Sequence, residues 1–295
     1  MTPNPLLLIV QFMGKLEKID LMNFKNRLFM NAKWQNLLPK LTVFSSVGDY
    51  VLLIFAVTKA TLKRPPNLSL ILKQLYDIGA ASLPVVAITG FSTGLVLAAQ
   101  SFYQLSDKGL ASVTGLMVSK AMLTELGPIL TSFMITGRVG AAMCAELGTM
   151  CVTEQVDALK SMAVNPNRYL IAPRWIAGIS MMPLLTIFSI FMGIFGGYLL
   201  SIYYFHMPPM TYLDPIPIHV TYFDLIVGIT KAFVFGFLIM TISCFKGMRT
   251  SGGAAGVGEN TTNSVVITYC AILLVNFLLT IILNLIHLEL FETSL

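Results

Sequence analysis

Long apolar runs separated by short polar interruptions dominate this chain. Five runs, at about 75–104, 129–148, 175–204, 223–245 and 265–288, each approach or exceed the ~20 apolar residues that cross the roughly 30 Å hydrocarbon core of a bilayer. No water is available there to satisfy backbone N–H and C=O groups, so such runs must be helical. The pattern predicts an all-α polytopic membrane protein with five transmembrane helices. The longest polar interruption is TEQVDALKSMAVNPNRYLIAPR, Thr153 to Arg174, which carries Glu154, Asp157, Lys160, Arg168 and Arg174. It cannot sit in hydrocarbon and must lie at a water-facing surface. Thr153 is placed as an N-cap, with Glu154 and Asp157 in the first turn, where they complement the helix dipole. Val156, Leu159 and Ala163 fall on one face. The spacing predicts a short amphipathic helix over about 153–163 that Asn165-Pro166 terminates.

Small residues recur every four positions within the runs: Gly90, Gly94 and Ala98, then Gly140, Cys144 and Gly148, then Gly193 and Gly197. Such stripes let helix backbones approach closely, so Gly90, Gly94, Gly140, Gly193 and Gly197 are expected to pack helices together. Residues 110–148 exceed a simple span, and Gly127-Pro128 predicts a break. The proline-rich stretch 205–222 and the glycine-rich Ser251–Ser264 are expected to be loops. Residues 41–60 are apolar but interrupted by Asp49; they predict a helix in the cytoplasmic interface, with a true span as the alternative. Residues 1–70 thus form a basic amphipathic region ahead of a five-span domain over 71–295.

Composition agrees: 56% of residues are hydrophobic and 11% charged, against about 25% charged in soluble domains. The net charge of +5 is uneven, with ten Lys/Arg against three Asp/Glu in residues 1–73. Leu, Phe and Met run through that segment, favouring a membrane surface over nucleic acid. The start of the chain has no basic n-region and no small-residue cleavage site, so the whole chain is expected to be mature. Basic residues near span ends put Arg138, Lys160, Arg168, Arg174, Lys246 and Arg249 on one side, with Lys108 and Lys231 assigned to the other. The positive-inside rule makes the first side cytoplasmic and leaves the C-terminus outside. Four scattered cysteines, Cys144, Cys151, Cys244 and Cys270, read as small hydrophobes rather than metal ligands. The GGAAGVG stretch lacks the G-K-[ST] of a nucleotide loop. No nucleophile–base arrangement stands out, so no enzyme active site or cofactor is expected in the chain. No internal repeat supports a self-contained carrier.

EQVDALKSMAVNPNRYLIAPR resembles the signature of the MlaE-type permease family, the membrane subunits of ABC lipid transporters that work with mammalian-cell-entry (MCE) domain proteins. LTELGPIL (Leu123–Leu130), TGRVGAAMCAELGTM (Thr136–Met150) and GGAAGVGENTTNSVV (Gly252–Val266) agree in order and spacing, so the resemblance covers about residues 70–290. It implies a homodimer, each copy with an interfacial helix and five spans, in the inner membrane of a Gram-negative bacterium. The N-terminus would be cytoplasmic and the C-terminus periplasmic. It further implies a cytoplasmic ABC ATPase that binds the ATP and Mg²⁺, a periplasmic MCE-domain protein, a small STAS-type regulatory subunit, and phospholipid as cargo.

On that resemblance, Glu154, Gln155, Asp157, Ala158, Leu159 and Met162 form the ATPase-docking face of a coupling helix. Many members carry Asp where this chain has Asn165, and a basic residue where it has Thr124. Gln100, Tyr103 and Glu125 are expected near the lipid path. Glu125, beside Gly127-Pro128, is either a functional intramembrane group, with Lys120 as its candidate partner, or a side chain reaching the outer interface. Arg138 is expected to contact headgroups, helix carbonyls or Glu146 in a structural role. The rival classes are an ion-coupled secondary carrier of a lipophilic substrate and a membrane-embedded lipid-modifying enzyme.

Overall fold

The computed structural model describes residues 38–63 and 65–292, and no strand occurs among them. The N-terminal basic region before residue 38 lies outside the described residues. Helix α1 is Leu38–Lys63. The chain divides into two compact units, residues 1–53 and 54–295, so only the end of α1 belongs to the larger unit.

Five helical segments of the larger unit are long and apolar enough to cross a bilayer: Leu68–Ser106, Ala111–Val152, Asn167–Tyr203, Tyr222–Met248 and Gly253–Glu289. α1 is not among them. The first comprises α2 (Leu68–Ile78) and α3 (Leu83–Ser106), joined by one tight turn. The second comprises α4 (Thr114–Ala121), α5 (Gly127–Ile135) and α6 (Ala141–Val152). A short helix α7 (Gln155–Ser161) follows, then α8 (Ala172–Tyr203). Two small helices, α9 (Pro209–Leu213) and α10 (Pro215–His219), lead to α11 (Tyr222–Met248) and α12 (Gly253–Glu292).

Three stretches differ from the sequence expectation. Gly127-Pro128 does not break the second span. The turn before it, Met122–Leu126, widens to a π-helical turn, as does Thr136–Gly140 beyond it. Proline lacks an N–H and crowds the carbonyl four residues earlier; a widened turn relieves both without ending the helix. The proline-rich 205–222 stretch holds α9 and α10, because Pro209 and Pro215 occupy first-turn positions where no N–H is needed. The glycine-rich stretch is mostly the first turns of α12. Only Gly252 and Gly253 keep positive φ, 88° and 71°, turning the chain between α11 and α12.

The small-residue stripes are consumed inside the chain. Gly90 meets the Ser189 backbone, where an added Cβ would lie 2.6 Å from the carbonyl oxygen; at Gly94 it would overlap the Gly193 carbonyl. α3 therefore lies backbone to backbone on α8. Gly140 faces Ser243 of α11, and Gly197 faces the Tyr212 hydroxyl. These glycines thus pack helices of one copy together. Behind them, Ala98, Val118, Met122, Leu123 and Ile190 form a buried apolar cluster. Tyr212 on α9 is fully buried, and burial pushes its phenol well above its ordinary value. The apolar face of α12 carries Leu274, Phe277 and Leu285 exposed, as a lipid-facing helix would.

Candidate functional site

Two places in the bundle carry polar chemistry that packing alone does not require. The first lies within the spans. Glu125 occupies the widened turn before Pro128, which aims its carboxylate between α11 and α12. Lys231 lies nine residues into α11, roughly 13 Å along the axis at about 1.5 Å per residue. Its ammonium is 2.5 Å from Glu125 Oε1 and donates to Thr280 Oγ1 at 2.8 Å. Thr280 in turn donates to Glu125 Oε1 at 3.0 Å, and Asn276 donates to Oε2 at 3.1 Å. The Lys231 side chain is 0% exposed and that of Glu125 34% exposed.

Counting basic residues places Lys231 on the non-cytoplasmic side; the structure buries its side chain completely within α11, in the first half of that span. A charge taken out of water needs a partner and further hydrogen bonds, and this network supplies both. The partner of Glu125 is Lys231 rather than Lys120. Lys120 lies 3.8 Å from Asp224, which also closes the capping box of α11 with Thr221. The only sequence signal for the pairing was Lys231 itself, a lone cation inside an apolar run. A cavity of about 240 Å³ opens above the pair, lined by Lys120, Asp224, Asn284 and His287 among others. Gln100 and Tyr103 are exposed on α3, and Tyr103 packs edge-on against Phe205 at 5.4 Å between ring centroids. Neither lines that cavity.

The second place is the opposite end of the bundle. α7 packs on α6 and buries Val156, which is 4% exposed. Glu154, Gln155, Asp157 and Ala158 face outward, Leu159 is half-buried and Met162 is exposed. Glu154 has φ 59° and precedes the helix; Ala163, at φ 58°, closes it. These two left-handed residues turn the chain sharply on both sides, so α7 stands as a short knob. Asp157 pairs with Lys160 at 2.7 Å on its exposed surface. Such an exposed pair contributes little stability.

Between these ends, Glu146 accepts from Arg174 at 3.0 Å, and Arg174 also donates to the Leu170 carbonyl at 2.8 Å. Arg138 donates to the Asp77 carbonyl at 3.3 Å and to the Ser82 hydroxyl, tying the second span to the kink between α2 and α3. The four cysteines are free thiols; Cys144 and Cys244 are buried, whereas Cys270 is exposed on α12.

A family model described as Permease MlaE matches residues 71–282, from within α2 to within α12. The chain belongs to the MlaE permease family. A probable ABC transporter permease protein of Rickettsia felis is 43% identical over 235 residues, covering 80% of this chain and 91% of that one. The intermembrane phospholipid transport system permease protein MlaE of Haemophilus influenzae is 32% identical over 241 residues, with 81% and 92% covered. The chloroplastic protein trigalactosyldiacylglycerol 1 of Arabidopsis thaliana is 36% identical over 209 residues, with 71% and 60% covered. The region shared with MlaE permeases contains the Glu125–Lys231 network and α7, and it leaves α1 outside.

Proposed function

We propose that this chain is the membrane permease of an ATP-driven phospholipid transporter. On this reading it works as a homodimer in a bacterial inner membrane, with α7 and the chain's N-terminus in the cytoplasm and the C-terminus in the periplasm. A separate ABC ATPase, which binds ATP and Mg²⁺, docks on Glu154, Gln155, Asp157, Ala158, Leu159 and Met162. A periplasmic MCE-domain protein exchanges lipid with the opposite end, and a STAS-type subunit regulates the ATPase.

The observation that carries the reading is α7: a short, outward-facing helix anchored by one buried valine at the end of a five-span bundle. Its exposed acidic and apolar side chains offer a partner a graspable face, and its attachment to α6 gives a push a rigid lever. The names of the Rickettsia and Haemophilus relatives support the ATP-driven class and the phospholipid cargo. At the other end, the half-exposed Glu125 beside the buried Lys231 offers a polar headgroup a place among apolar helices. The chain then performs no chemistry of its own; it converts movement of a partner into movement of lipid.

One observation favours a second reading. A buried Glu–Lys pair within spans is a group that ion-coupled carriers use. Reconstitution separates the two. The purified chain is placed in liposomes with labelled phospholipid, with an ATPase subunit and ATP in one arm and a proton or sodium gradient alone in the other. Lipid movement only in the ATPase arm supports the transporter; movement driven by the gradient alone refutes it.

A further inference from the structure

A cavity of about 600 Å³ lies away from the Glu125–Lys231 pair, beside the turn that closes α7. It opens between the end of α1, the linker into α2 and the loop that leaves α7. Lys63, Leu70, Val164, Asn165, Arg168 and Tyr169 line it. A shallower groove of about 490 Å³ adjoins it along α1 and shares Lys63; its lining is otherwise Phe55, Thr58, Lys59 and Leu62. Phe55, Lys59 and Lys63 are spaced four residues apart and so share one helix face, with Leu62 beside them. Phe55 is 69% and Leu62 81% exposed, so large apolar side chains stand uncovered next to two lysines.

The charge is one-sided. Lys59, Lys63 and Arg168 are basic, and no acidic side chain among the described residues lines either hollow. Among the described residues none of the three takes part in an ion pair. Arg168 spends one Nη2 donor on the Pro65 carbonyl at 3.2 Å, which fixes its guanidinium at the rim. A largely apolar hollow that carries Lys63 and Arg168, continuous with an apolar groove that carries Lys59, matches a molecule that is anionic at one end and hydrocarbon at the other. Peptides with acidic and apolar ends share part of that chemistry, but the hollow lies at the start of the first span, where the bilayer supplies lipid.

We infer that this double groove binds a phospholipid with an anionic headgroup, its phosphate held by Lys59, Lys63 and Arg168 and an acyl chain laid along Phe55 and Leu62. It is distinct from the Glu125–Lys231 region and does not depend on transport. The bound lipid bridges α1 to the loop that leaves α7, and so braces the base of the exposed knob.

The test uses the full chain purified in detergent and exchanged into nanodiscs of phosphatidylcholine with a minor fraction of phosphatidylglycerol. Native mass spectrometry then counts the anionic lipid retained. The unaltered chain is expected to retain phosphatidylglycerol above its share of the bilayer. Near a membrane surface each lysine contributes about a fivefold preference at low salt, so Lys59→Gln with Lys63→Gln is expected to lower retention on the order of 25-fold. Lys59→Arg with Lys63→Arg is expected to keep it. Ala60→Trp, which fills the cavity without changing charge, is expected to lower retention as well. Equal retention in the unaltered chain and the Gln pair overturns the inference, as does retention that survives Ala60→Trp. Anionic lipid lost whenever a bound partner protein covers these residues assigns the surface to that protein and also overturns it. A failed liposome transport assay with normal retention here would refute the proposed function and leave this site standing.

Discussion

Replacing Glu125 with methionine removes the paired counter-charge of an ammonium that is 0% exposed. At an effective dielectric of about 20, two unit charges about 4 Å apart attract by on the order of 4 kcal/mol. Burying the ammonium costs several kcal/mol, so the intact pair contributes little net stability, while breaking it leaves the whole cost uncovered. Buried pairs of this kind lose about 3–5 kcal/mol when one partner goes. Because Glu125 is 34% exposed beside a cavity of about 240 Å³, water reaches the broken site, and the expected loss is at the low end, about 3 kcal/mol. Lys231→Met is expected to cost less, about 1–2 kcal/mol, because the stranded carboxylate keeps Thr280 and Asn276 as donors and partial access to water. The double Glu125→Met/Lys231→Met variant strands neither charge and should fall within about 1–2 kcal/mol of the unaltered chain. Reversible unfolding of all four chains in mixed SDS micelles gives the coupling energy, about 2–3 kcal/mol if the arrangement holds. A coupling below about 0.5 kcal/mol, or a Lys231 variant costlier than the Glu125 variant, would refute the reasoning.

Other outcomes are expected from the same packing. Gly94→Ala drives a methyl into the Gly193 carbonyl and should lower stability by about 2–3 kcal/mol, whereas Gly258→Ala, with nothing near its added carbon, should be neutral or gain up to about 1 kcal/mol; thermal unfolding in detergent compares them. Glu154→Lys and Leu159→Arg should release the ATPase on co-purification and abolish ATP-driven lipid movement without preventing membrane insertion; unchanged co-purification and transport sink the docking assignment. Tyr212 keeps its proton in the folded chain above the phenol's ordinary 10.0, because burial disfavours the phenolate. Its stabilising contribution is present below that value and is lost as pH rises beyond it, so the alkaline unfolding limb should flatten in Tyr212→Phe when followed by circular dichroism.

How much of this molecule was legible beforehand depends on the range of each signal. The apolar runs located the spans because crossing a bilayer is a local demand on composition, and the Thr153–Arg174 interruption yielded α7 within two residues at each end. Helix caps were less legible. Thr153 has the expected capping chemistry, yet Glu154 takes the turn, since a left-handed residue there redirects the chain. Gly127-Pro128 misled for a related reason: a proline forbids one hydrogen bond, but a widened turn restores the helix when flanking helices hold it. The glycine stripes were visible, but their partners were not.

Sequence alone therefore determined an all-helical membrane protein, its span count, its polar knob and its family, because each of these rests on residues close together in the chain. Tertiary structure alone decided which charges meet. Glu125 and Lys231 are 106 positions apart, Arg174 and Glu146 28, and the double groove joins α1 to residues about a hundred positions further on. Lys231 looked like a cation near a span end; it became the buried half of an intramembrane pair only when packing set α11 and α12 around the widened turn that holds Glu125. Such pairings depend on the rotation and depth of whole helices, which glycine contacts between backbones set and which no local pattern records.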